Sequence, residues 1–307
     1  MTSLVTPLLL IALPGSEACA DHLAERMHAP RCALESRRFP DGETYLRVLG
    51  EVQGCDVAVV AQLHPPDAQV PSLLFLADAL RDLGAVRVGL VAPYLPYMRQ
   101  DKRFKPGEAV TSVSFARLVS AAFDWLVTVD PHLHRHASLS EIYTLASEVV
   151  PSAPAVAAWV QTQVKHPHII GPDEESAQWV SEVASFIGCP HTVLRKERHG
   201  DREVVLTLPD MAALQGHTPV LVDDIISSAH TLAEAVRALL AQGSAPPVCV
   251  GVHAVFAGDA AALLRAAGAA RVVTCNTLAH ASNAIDVMGA VGEAAKVLVE
   301  AARLRPA

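Results

Sequence analysis

Short apolar runs alternate with helix-period segments along the whole chain. Near the N-terminus LLLIAL reads as a buried strand, and after Pro14-Gly15-Ser16 an amphipathic pattern begins. The run is too short to span a bilayer and has no basic leader, so a first strand is expected rather than a signal peptide. DVAVVAQ (56–62), VRVGLVAP (86–93) and WLVTVD (125–130) are nearly continuous in apolar character, as strands covered on both faces are. Between them PSLLFLADALRDLG (71–84) and TSVSFARLVSAAF (111–123) carry helical spacing, the second with Thr111 as its expected N-cap. The second half repeats the scheme with strands at 168–171, 192–196, 203–207, 219–224, 248–256 and 271–276, and helices at 174–187, 231–242, 259–267 and 288–303. RKERHGDRE (195–203) is charge-dense without an apolar anchor, and a mobile solvated loop is expected there.

Strand–helix alternation of this kind predicts an α/β fold with mostly parallel sheets and helices on both faces. Ligands in such sheets bind at the carboxyl ends of strands. The loops singled out are 93–107, 130–136, 171–175 and 223–231. At 307 residues the chain suits two domains, expected at 1–150 and 151–307 with SAPA near residue 152 as the join. The last helix is a candidate to pack back on the first domain.

Composition narrows the function. The chain is 51% apolar, 18% charged and carries a formal charge of −8, which argues against nucleic-acid or acidic-membrane partners. An anionic ligand must then be held by local basic clusters. The six cysteines lie far apart with no CxxC pair, which indicates neither a zinc site nor a disulfide framework, and suits reduced thiols in the cytoplasm.

VDDIISSAHT (222–231) delivers Asp223 and Asp224 to a strand end and leads through Ser227, Ser228, Ala229, His230 and Thr231 into a helix. Free N–H groups at a helix start favour a phosphate, and adjacent carboxylates suit a ligand that also bears hydroxyls or magnesium. A sugar phosphate satisfies both ends. Taken alone, an acidic strand end with a Ser/Thr N-cap accounts for the stretch as well. PYLPYMRQDKRFKPGE (93–108) sets Arg99, Lys102, Arg103 and Lys105 close together, with Tyr94, Tyr97 and Phe104 available to flank a base. VDPHLHRH (129–136) brings Asp130, His132, His134 and His136 to a strand end, where imidazole and carboxylate can take a divalent metal. GPDEES (171–176) puts three carboxylates at a helix start, a favourable placement on the dipole alone.

Together FPDGETYLRV (39–48), PYLPYMRQDK, VDPHLHR, GPDEE, LRKER (194–198), VDDIISSAHT and NTLAHASNAIDV (276–287) resemble the ribose-phosphate pyrophosphokinases, in the family's order and over nearly the whole chain. The resemblance implies two phosphoribosyltransferase-like α/β domains and transfer of the diphosphoryl group of ATP to ribose 5-phosphate, giving PRPP and AMP. It implies that Phe39, Asp41, Gly42 and Glu43 serve ATP held by a neighbouring subunit, that Arg99, Gln100, Asp101 and Lys102 bind ATP, and that His132 and Asp173 are associated with Mg2+. Lys196 and Arg198 match a catalytic loop pair. Asp223, Asp224 and Ser227 to Thr231 match the ribose 5-phosphate site. A homo-oligomer follows from the shared ATP.

The family's phosphate loop usually carries Gly-Gly where this chain has Ala229-His230. A positive φ at either position would cost about 1–2 kcal/mol. VDPHLHR is closer to archaeal-type members, so activation by phosphate and inhibition by ADP are not carried over. A phosphoribosyltransferase would need neither the RQDK nor the KER stretch, and a regulatory homologue would not need Lys196 and Arg198.

Overall fold

The computed structural model of the chain describes residues 6–199, 203–207 and 211–304. It divides into two compact units, the first running to Val150 and including the chain from Met288, the second spanning Pro151–Val287.

In the first unit β1 (Leu8–Ala12) leads through α1 (Glu17–Met27) to an antiparallel hairpin of β2 (Leu34–Arg38) and β3 (Thr44–Val48). The chain then alternates: β4 (Asp56–Val60), α2 (Val70–Asp82), β5 (Arg87–Val91), α3 (Thr111–Ala122), β6 (Trp125–Val129) and β7 (Ala146–Val150). The sheet is parallel in the order β1-β4-β5-β6-β7. β4 and β6 are buried at every position, which explains their unbroken apolar runs. Gly89 on β5 is required by packing, because a Cβ there would lie 1.8 Å from Cε2 of Trp125 on β6. The expected cap of α3 is a different residue: Val110 occupies the N-cap, and the Thr111 hydroxyl donates to the Tyr97 carbonyl at 3.3 Å.

The second unit opens with α4 (Ala153–Gln163), so the small-residue stretch near 152 is a helix start. β8 (Pro167–Gly171), α5 (Ala177–Ile187) and β9 (His191–Val193) follow. The strand expected over 192–196 breaks at Leu194, which is buried. Beyond it β10 (Arg195–His199) pairs antiparallel with β11 (Glu203–Thr207), so the backbone of the charge-dense stretch is a hairpin where a loop was expected. The apolar EVVLT run supplies β10 with a partner. α6 (Met211–Leu214), β12 (Thr218–Ile226), α7 (His230–Ala241), β13 (Val248–Ala254), α8 (Ala260–Ala267), β14 (Arg271–Cys275) and β15 (Asn283–Ile285) complete the unit. Its parallel sheet has the order β15-β14-β13-β12-β8-β9.

α9 (Met288–Arg303) belongs to the first unit, where it packs against α1, β6 and β7. Its end is fixed by charge: Arg303 Nε donates to Asp56 Oδ2 at 2.8 Å, and Arg87 reaches the other oxygen at 3.4 Å. No helix among the described residues is long and apolar enough to cross a membrane.

Candidate active site

β12 runs past its paired carboxylates to Ile226, and only Ser227, Ser228 and Ala229 separate it from α7. Asp224 is buried, Asp223 is half-buried, and Asp223 Oδ1 accepts the Asp224 N–H at 3.1 Å. Burial pushes the Asp223 carboxyl well above the usual carboxylate range, and the charges of Asp224 and Asp173 add to the shift. Beneath it the Cys249 thiol is pushed up to about 12, first by burial and then by Asp223.

Ala229 sits at φ 60° and ψ 10°, the left-handed region, and is itself the N-cap of α7. No side chain among the described residues caps this helix. The ordinary account of the stretch, a Ser/Thr N-cap, is therefore not what the fold contains, and the first N–H groups of α7 lack a side-chain partner. The Ala229 methyl is buried in the apolar cluster with Leu232, Ala233 and Val236, which offsets part of the conformational cost. His230 is exposed and lies within α7, so only one of the two unusual residues needs a positive φ. The Ser227 carbonyl accepts the Ala257 N–H at 3.2 Å, tying the turn to the loop after β13.

The loop after β8 approaches closely. A Cβ on Gly171 would lie 2.3 Å from Ser176 Oγ, and that hydroxyl donates to the Asp173 carbonyl at 2.6 Å. Asp173 Oδ1 accepts the N–H groups of Glu175 and Ser176 at 3.1 and 3.3 Å. Burial raises the Asp173 carboxyl, opposed by the Ser176 N–H and reinforced by the charges of Glu175 and Asp224. The second unit thus gathers Asp173, Asp223 and Asp224 within electrostatic reach of one another.

In the first unit the basic loop after β5 begins with a strained residue. Tyr97 has φ 66°, its hydroxyl donates to Asp67 Oδ1 at 2.5 Å, and its ring packs on Phe115. Burial and then Asp67 push its hydroxyl up to about 12. Past this bend Met98 is buried, Arg99 is exposed and Gln100 is half-buried. Asp101 is buried, and both its oxygens accept from NH1 of Arg135 at 3.0 and 2.9 Å. Lys102 stands 5.1 Å from the centre of the exposed Phe104 ring. Glu108 closes the loop by accepting the N–H groups of Phe104 and Lys105 at 2.8 and 2.9 Å. After β6, His134 Nε2 and His132 Nδ1 share a hydrogen bond at 3.0 Å, and His136 pairs with Glu141 at 2.9 Å.

Phe39, Asp41, Gly42 and Glu43 form the exposed tip of the β2–β3 hairpin. Gly42 takes φ 93°, Asp41 Oδ1 accepts the Glu43 N–H at 3.1 Å, and Arg38 ties the tip to the Ala68 carbonyl. Among the described residues no hydrogen bond or ion pair joins the tip to Arg99 through Lys102. Lys196 and Arg198 lie on β10 and their side chains are outside the described residues. Arg135 lies within VDPHLHR, and its basic charge at a strand end is the signal the sequence offers for it. Asp67 lies in the link after β4, where nothing in the sequence marks it.

Residues 8–122 match the N-terminal domain of ribose phosphate pyrophosphokinase and residues 140–288 the phosphoribosyl transferase domain. The ribose-phosphate pyrophosphokinase of Methanopyrus kandleri is 35% identical, over 94% of this chain and 99% of that protein. The one from Methanothermobacter thermautotrophicus is 34% identical, over 94% of this chain and all of its own.

The chain belongs to the ribose-phosphate pyrophosphokinase family.

Both of these relatives are archaeal, as the VDPHLHR stretch implies. The phosphoribosylpyrophosphate synthetase of Mycobacterium smegmatis shares the fold, with a TM-score of 0.85 at 23% identity over 96% of this chain and 100% of that one. The pyrophosphokinase family is expected to use magnesium, and the second unit's donors fit it. Burial first, and then neighbouring charge including that of Asp224, hold back the ionisation of Asp173 and Asp223, and a hard, oxygen-seeking divalent cation relieves such crowding. His132 fits less well, since imidazole suits softer metals.

Proposed function

We propose that this chain is a ribose-phosphate diphosphokinase, transferring the diphosphoryl group of ATP to the 1-hydroxyl of ribose 5-phosphate. One observation carries the reading: α7 starts uncapped, three residues past the end of the strand that bears Asp223 and Asp224. The N–H groups of that turn, with Ser227, Ser228 and Thr231, suit the 5-phosphate. Asp223 and Asp224 suit the sugar hydroxyls. Ala229 and His230 shape the turn without offering the hydroxyls.

In the first unit Arg99, Gln100, Asp101 and Lys102 serve ATP. Phe39, Asp41, Gly42 and Glu43, exposed on their hairpin, serve ATP held by a second copy, so the working form is a homo-oligomer. The 1-hydroxyl oxygen bonds to the β-phosphorus as the bond to the α-phosphate breaks; the hydroxyl proton departs and AMP leaves. Charge spreads over phosphoryl oxygens in that step, so Lys196 and Arg198 act by cationic stabilisation and positioning. Asp173, with the carboxylates beside it, would hold Mg2+, which would supply further positive charge to the phosphates. Cytoplasmic action suits the cysteines, all free.

The test is purified protein with magnesium, ATP and ribose 5-phosphate, following AMP. Release that depends on the sugar phosphate is expected. Its absence with active protein would sink the reading.

A further inference from the structure

Two basic loops at neighbouring strand ends of the first unit are joined by a single guanidinium. Asp101, in the loop after β5, has a side chain only 1% exposed, while its partner Arg135, in the loop after β6, keeps 36%. β5 and β6 are adjacent parallel strands, so both loops lie at the ligand-binding edge of the sheet.

The pairing is lopsided. Both carboxylate oxygens of Asp101 accept from the same nitrogen, NH1. Among the described residues Nε and NH2 of Arg135 have no other partner, so one edge of a planar donor set stays open. The guanidinium carbon lies 5.5 Å from the Phe104 ring centre, and Lys102 lies 5.1 Å from the same ring. Phe104 is 56% exposed as a residue and its backbone N–H is held by Glu108. Two cations are thus set around one fixed aromatic face. A buried carboxylate could not itself face a polyphosphate without repulsion; what it can do is hold a guanidinium in one orientation.

We propose that Arg135 is a phosphate ligand of the nucleotide site, and that Asp101 is a positioning residue that aims it. The proposal rests on the reading of the first unit as the ATP side. It reassigns Asp101 from ligand to support and adds a cation outside the RQDK stretch.

A staple between two loops would make the same ion pair, but the two roles differ in what they discriminate. A phosphate ligand acts in proportion to the phosphate chain, whereas a staple affects every nucleoside alike. The experiment is calorimetric titration of the full-length protein with ATP, AMP and adenosine in the presence of magnesium, for wild type, Arg135→Gln, Arg135→Lys and Asp101→Asn. Arg135→Gln is expected to weaken ATP about tenfold or more while changing adenosine by less than about twofold. Arg135→Lys keeps the charge and the pairing yet loses the planar fork, and should recover only part of the loss. Asp101→Asn should weaken ATP selectively but by less than Arg135→Gln. Equal weakening of ATP and adenosine, or no weakening of either, overturns the proposal, as does a wild type that binds no ATP. If Asp101→Asn fails to fold, the two Arg135 variants decide alone. Binding is read without turnover, so selective ATP loss in a protein that makes no AMP would keep the Arg135 proposal while removing the diphosphokinase reading.

Discussion

β4 and β12 occupy the same place in their sheets and end in different chemistry. Each follows a strand, a helix and an antiparallel hairpin, with β9 and α6 added before β12, and each lies between the first strand of its unit and the strand that follows it in the sheet. The isolated parallel bridge from Leu10 to Arg31 even stands where β8 pairs with β9. Yet residues 61–69 separate β4 from α2, whereas three residues separate β12 from α7. The short link leaves the uncapped start of α7 beside the carboxylates. The long link carries α2 away and spends its residues on packing: Leu63 is fully buried and Asp67 is committed to Tyr97. A shared fold therefore does not place a phosphate turn; the length and chemistry of one connection do.

The aspartates of the two strands offer the strongest way to break this contrast. Asp56 opens β4 and is buried between Arg87 and Arg303, while Asp223 nears the end of β12 among like charges. Asp56→Asn leaves two guanidiniums facing a neutral amide and should cost about 3 kcal/mol of stability with turnover per folded molecule unchanged. Asp223→Asn should do the reverse. Turnover falls on the order of 100-fold if the residue orients the sugar, and metal-free protein in chelator melts higher because a buried charge, and the repulsion around it, are gone. The sign follows from the shift: a carboxyl raised in the folded state withholds stability only above its ordinary ionisation range. The gain should therefore vanish as the pH drops below that range. Melting curves with and without chelator, beside AMP release, separate the two residues; parallel behaviour would dissolve the contrast.

The link itself comes next in expected effect. Inserting one glycine between Ser228 and Ala229 moves the N–H groups of α7 off the strand end. The KM for ribose 5-phosphate should rise on the order of tenfold to a hundredfold, with ATP binding unchanged. An unchanged sugar KM would mean that the side-chain hydroxyls, and not the helix start, hold the phosphate.

How much of this was legible in the sequence depends on what each element owes to its own residues. Strands buried on both faces, such as β4 and β6, announced themselves because each position must be apolar. The hairpin of β2 and β3 did not, since LESRR is mostly exposed and its pairing comes from the partner strand. α4 was hidden for another reason: Pro154 and small residues look like a linker until Val156, Ala157 and Val160 are seen to be buried together. At the site, the identity of the carboxylates and hydroxyls was readable. The Asp101–Arg135 pair was not, because it joins residues 34 positions apart and depends on β5 lying next to β6.

The smallest predicted effect concerns the residue that departs most visibly from the family's glycines. Ala229 holds φ 60°, which costs an L-residue roughly 1–2 kcal/mol. Replacing it by glycine removes that strain but gives up a buried methyl worth roughly 0.8 kcal/mol and adds backbone freedom to the unfolded chain worth about 0.4–1 kcal/mol. These nearly cancel, so Ala229→Gly should change stability by less than about 1 kcal/mol. Its methyl points into the core cluster and not across the turn, so the KM for ribose 5-phosphate should stay within about twofold of the parent. A larger fall in KM would show that the alanine holds the turn away from its best phosphate geometry. In that case the contrast with β4 would lie in the tuning of the turn as well as in its length.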